Sequence, residues 1–115
     1  MTRFLEPDEL RQILASSSDT IAQELADLLE ATDSAELIAV EPAAASTLLP
    51  TYETRLAAAE AGLGPRTEGL APFVAALRED RTVEMFSVAM GRTVGIGLLS
   101  LDGDLVAITL IRAGG

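Results

Sequence analysis

At 115 residues, 49% of them hydrophobic, the chain has the length and apolar content for one domain whose core needs no disulfide or metal staple. Eighteen acids stand against eight basic residues, all of them arginine, for a net charge of −10, and histidine and cysteine are both absent. These absences exclude histidine-activated nucleophiles and thiolate chemistry, while the acidity argues against nucleic acid and anionic lipid as partners.

Pro7 suits the first position of a helix, and Asp8 and Glu9 favour the positive end of its dipole. Leu10, Ile13 and Leu14 form the apolar stripe of this first helix. The run Ser16 to Asp19 breaks it. Ser18 or Asp19 competes to cap a second helix with Thr20, which has capping-box spacing to Gln23. That helix is expected to reach about Thr32, with Ile21, Leu25, Leu28 and Leu29 on one face and Glu24, Asp27 and Glu30 on another.

Glu36 to Glu41 reads as a short strand ended by Pro42, and Ala43 to Leu49 is ambiguous. Pro50 is expected to open a third helix, with Tyr52, Leu56, Ala59 and Leu63 on one face and Gly62, Gly64 and Pro65 stopping it. A fourth, from about Ala71 to Glu79, presents Leu70, Phe73, Val74 and Leu77 at helical spacing.

From Thr82 to Arg112 the pattern turns to three β-rich runs joined by two tight turns. Gly91-Arg92 fits a type II′ turn and Asp102-Gly103 a type I′ turn. Two-residue loops would set Met90 opposite Thr93, Phe86 and Ile108 opposite Gly97, and Leu101 opposite Asp104. One face then carries Val83, Met85, Val94, Ile96, Leu98, Leu105 and Ile111. The other carries Phe86, Val88, Leu99, Val106, Ile108 and Leu110 around Gly95 and Gly97. Both faces are apolar, so helices can cover one, and further helix, a second copy or a partner must cover the other.

The fold expected is a single α+β domain over residues 1–115. Its N-terminal helices pack on a C-terminal three-stranded antiparallel meander, to which the short Glu36 strand adds a fourth.

Few residues suggest chemistry. Gly95 and Gly97 lie mid-strand without the third glycine of a dinucleotide fingerprint. Asp102-Gly103-Asp104 lacks the remaining spacing of a calcium loop, and a hairpin explains it. The carboxylate pairs Asp8/Glu9 and Glu79/Asp80 fall on helix surfaces and a turn rather than in an aromatic-lined cleft. Tyr52, with Arg55 nearby in sequence, reads as a core-edge residue whose hydroxyl reaches water. The closing Gly114-Gly115 is similar to the diglycine end of ubiquitin-like sulfur carriers. Those open with a β-hairpin and this chain opens with helices, so no family follows. The first two helices lack the basic or amide residues a DNA-reading helix-turn-helix needs.

No catalytic residue, metal ligand or cofactor is therefore expected. Ten acids and two arginines precede Pro42, so the N-terminal part is the more acidic, and a basic protein is the partner it would steer toward. The function expected is a non-enzymatic protein-binding module: an inhibitor or immunity-type protein, a dedicated chaperone or an adaptor. Glu24, Asp27 and Glu30 form its contact, and Phe86, Val88, Gly95, Gly97, Ile108 and Leu110 line a pocket or a homodimer interface. The alternatives are a sensor or carrier of a small apolar ligand, and an Asp/Glu-dependent enzyme whose site is completed between subunits. No run reaches the roughly 18 apolar residues of a membrane helix, and none near Met1 resembles a signal peptide, so a cytoplasmic protein is expected.

Overall fold

In a computed structural model, which describes residues 2–32 and 36–112, the C-terminal third of the chain forms the middle of a larger sheet. The elements in chain order are β1 (Arg3–Leu5), α1 (Pro7–Ala15), α2 (Thr20–Ala31), β2 (Ile38–Ala44) and α3 (Ala45–Glu60). They are followed by β3 (Arg66–Glu68), α4 (Leu70–Leu77), β4 (Thr82–Met90), β5 (Thr93–Leu99) and β6 (Leu105–Arg112). The strands lie in the order β1-β2-β4-β5-β6-β3, and every neighbouring pair is antiparallel. This corrects the expected fold. The sheet has six strands, and the meander is its centre rather than its whole.

Of the three added strands, two escaped the sequence and the third was read with the wrong bounds, each for a local reason. β1 and β3 have three residues each, too few to show a period. β2 does not stop at Pro42 but runs through it, with Pro42 opposite Glu84. Because β1 pairs only with Ile38 to Val40, β2 has an open side from Glu41 onward, where a residue without an N–H costs no ladder bond.

The helices pack two to a face. Leu10 and Leu14 of α1 and Ala22, Leu25 and Leu29 of α2 share one core with Phe86, Leu99, Ile108 and Leu110. Leu70, Phe73, Val74 and Leu77 of α4 and Ala45 and Tyr52 of α3 share the other with Val83, Ile96, Leu98 and Ile111. The chain thus covers both apolar sheet faces with its own helices, forming three layers. The uncovered face that suggested a second copy is filled from within.

Helix boundaries follow ordinary capping chemistry. Glu9 accepts the Glu6 N–H at 3.2 Å at the head of α1, and Asp19 accepts the Ile21 N–H at 2.9 Å to cap α2. α3 starts at Ala45, five residues before Pro50, so the proline sits inside the helix instead of opening it. Its ring removes one intrahelical bond near the first turns, and the exposed polar face tolerates that loss. Leu63 falls beyond the end of α3 and is 65% exposed, outside the apolar face assigned to it.

The first hairpin has the expected register, Met90 opposite Thr93 and Phe86 opposite Gly97. The second reaches the expected pairing of Gly97 with Ile108 by another route. Its loop is one residue longer, with Ser100 and Asp104 closing it: Ser100 N–H donates to Asp104 O at 2.8 Å, and Gly103 N–H to Ser100 O at 2.9 Å. Leu99 then faces Leu105 and Leu98 faces Ala107, leaving Val106 as a bulge that restores the register. Because of it Leu105 lies on the α1/α2 side and Val106 on the α3/α4 side, the reverse of the faces expected for them.

Candidate functional site

The acidic face of α2 is built by its own period. Ala22, Leu25, Ala26 and Leu29 are buried, which turns Asp27 and Glu30 to solvent. Among the described residues, neither makes an ion pair or hydrogen bond. Glu24, one turn earlier, is held differently. It accepts from Arg112 at the end of β6, and the same guanidinium donates to Glu68 of β3 at 3.3 Å. The three proposed contact residues thus divide into two free carboxylates and one member of an ion-pair cluster joining α2, β3 and β6. Bonding to Arg112, against the opposing effect of burial, holds the Glu68 carboxyl below the usual carboxylate range.

A second long-range pair ties the opposite side of the sheet. Arg3 of β1 donates twice to Glu84 of β4, at 2.8 and 2.9 Å, in the bidentate geometry that favours arginine. Glu84 is 9% exposed, and Arg3 holds its carboxyl below the ordinary range although burial pulls the other way. The sequence did hold a signal for this pair. Glu84 interrupts Val83 to Phe86 on the side of Phe86, where an ionised group needs a cation.

The residues expected to line a pocket or interface are packed instead. Phe86, Ile108 and Leu110 are buried under α1 and α2, and Val88 is half-buried beside them. A Cβ at Gly95 would lie 2.7 Å from the Leu25 side chain, and one at Gly97 2.3 Å from the Phe86 ring. The glycines admit those two side chains, which fill the space an apolar ligand would need.

Tyr52 is also placed more deeply than expected. It is 6% exposed, its ring lies 4.9 Å from that of Phe73, and its hydroxyl donates to the Met85 sulfur at 3.8 Å. Burial raises its pKa, and Arg55 stacks over the ring at 5.7 Å. Asp8 pairs with Arg11 and Glu79 with Arg81 on the surface, and Asp102 and Asp104 are exposed in the second turn. Among the described residues no three carboxylates converge to hold a metal ion. Gly114 and Gly115 lie outside the described residues.

The surface of the described residues also carries concavities. A wide groove of about 620 Å³ lies between the end of α1, the Ser16–Ser18 break and the β5–β6 turn, with Glu9, Gln12 and Asp104 on its walls. A narrower one of about 220 Å³ lies between residues 36–39 and 87–90, beside Leu29 of α2 and Thr32 just past its end. No known family, characterised protein or solved structure matches the chain. Among the described residues, no helix is long and apolar enough to cross a membrane.

Proposed function

We propose that this chain is a non-enzymatic, acidic protein-binding module that docks a basic partner, in the manner of an inhibitor, immunity-type protein, dedicated chaperone or adaptor. The observation that carries the reading is the pair of exposed, unpartnered carboxylates Asp27 and Glu30 on a helix whose other face is locked in the core. Like charges held unpaired on a rigid element raise the encounter rate with a cationic surface and favour one orientation of approach. Glu24 stands at the rim of this patch, its charge shared with Arg112. The cytoplasmic setting expected from the sequence is kept as part of the proposal.

The test is a double replacement, Asp27→Asn with Glu30→Gln, measured for association kinetics against the partner isolated by native affinity capture. Each change alters stability by less than about 0.5 kcal/mol, since both side chains are exposed and make no ion pair or hydrogen bond among the described residues. The association rate at low salt falls several-fold and its salt dependence flattens. An unchanged rate at low salt, with a folded variant, overturns the reading. Glu24→Gln behaves differently: it also weakens the fold, because Arg112 loses one of its two carboxylates.

A further inference from the structure

The ladder between β2 and β4 is incomplete. It runs from Ala44/Thr82 to Val40/Phe86 and stops there, although β2 continues back to Ile38 and β4 forward to Met90. The cavity of about 220 Å³ lies where the two strands part, lined by Leu37 and Ala39 on one side and by Ser87 and Ala89 on the other. In an antiparallel ladder alternate residues turn their N–H and C=O groups to the same neighbour. Pro42 has no N–H to give, so the β2–β4 bonds run through Glu41 and Ala43 opposite Met85 and Val83. Continued past the end of the ladder, the same alternation aims the main-chain groups of Leu37, Ala39, Ser87 and Ala89 into the gap. All four residues are exposed.

The floor of the gap is apolar: Leu29 and Ile38 are buried there, with Val88 and Met90 packed beside them. Its surroundings are acidic. Glu36 lines one end, and Glu30 lies two residues before Thr32, which also lines it. Arg92, two residues past Met90, is the nearest arginine in sequence and sits in the exposed β4–β5 turn.

We infer that this gap is a slot for an extended, basic segment of the partner, which completes the sheet between β2 and β4. Main-chain hydrogen bonds to both walls hold the segment, an apolar side chain enters the floor, and a cationic side chain faces Glu30. The inference rests on the reading of the chain as an acidic protein-binding module and specifies the part of the partner that it grips.

The probe is the capped pentapeptide acetyl-Arg-Val-Arg-Val-Arg-amide, titrated into the isotope-labelled chain and followed by amide chemical shifts. Shifts are expected at Leu37, Ala39 and Ala89. Ala89→Pro removes an N–H aimed at the slot while leaving the β4–β5 bonds of Val88 and Met90 in place, and it weakens binding tenfold or more. Ala89→Ser, which keeps the N–H, binds as the parent chain does. A peptide N-methylated at both valines binds the unmodified chain at least tenfold more weakly, a test that needs no altered protein. Shifts confined to the surroundings of Asp27 and Glu30 overturn the slot while leaving the acidic docking surface standing. Binding that survives both Ala89→Pro and N-methylation, or the absence of slot shifts at saturating peptide, also overturns it.

Discussion

Gly97 and Glu84 show how differently two residues of one sheet can be read. The pairing of Gly97 with Phe86 was legible, because both lie within a single hairpin and the turn fixes their register. Gly97→Val sets a side chain against a ring that is 1% exposed and has nowhere to go, and should cost about 1–3 kcal/mol. Adding Phe86→Leu should restore part of the loss, a coupling that urea melts of the single and double variants measure. Gly103→Val acts otherwise: a Cβ there meets nothing, yet φ is +91°, and the strained backbone should cost about 1–2 kcal/mol that no neighbouring change relieves. The partner of Glu84 was not legible, since Arg3 lies 81 positions away and only the six-stranded order brings the two together. Their pairing lowers the folded-state pKa of Glu84. The stability it adds is therefore complete above the unfolded value, about 4.3, and is lost as pH falls through the folded one. Glu84→Gln should be less stable at neutral pH, with a shallower decline in denaturant midpoint through the carboxylate range. An unchanged acid limb would remove Glu84 from the account.

Among the elements, those with a full period were read correctly and those shaped by partners were not. The stripes Leu10/Leu14, Leu25/Leu29 and Phe73/Leu77 are where the helical spacing put them, all buried. β1 and β3 exist only because a neighbour supplies their hydrogen bonds, and Pro50 is absorbed because α3 is anchored on both sides of it. The second hairpin gave the right central register from the wrong turn: a longer loop and a bulge cancel, and only Leu105 and Val106 exchange faces. That cancellation makes a sharp test. Deleting Val106 removes a residue that no partner faces, so the strand stays in phase and the chain should still fold, losing up to about 1.5–3 kcal/mol of side-chain burial. Deleting Thr109, which pairs with Ile96, puts one segment of β6 out of phase with the two cores and should abolish cooperative unfolding. Circular dichroism melts of the two deletions separate these outcomes; equal behaviour would mean that the bulge is misplaced.

For the molecule as a whole, the sequence showed that the meander has two apolar faces, and this is the reason the fold has three layers. Its composition could not say which helices cover which face, because four amphipathic helices of similar character satisfy either choice until the strand order is known. The candidate site was legible in the same partial way: the period of α2 exposed Asp27 and Glu30, whereas the gap between β2 and β4 depends on where a ladder stops. With a net charge of −10 and six ion pairs found among the described residues, repulsion outweighs pairing over much of the surface. Raising sodium chloride from low to physiological ionic strength should therefore raise the melting temperature, as screening shortens to about 8 Å. A fall would mean that the ion pairs dominate. The strand order has one more consequence, for the order of events during synthesis. The three central strands leave the ribosome after all four helices and every strand that flanks them. Until Thr82 emerges, Leu10, Leu14, Leu25 and Leu29 on one side, and Phe73, Val74 and Leu77 on the other, have no surface to settle on. Folding of these elements must wait for β4 to β6, and until they emerge the nascent protein carries two greasy helix pairs without cover.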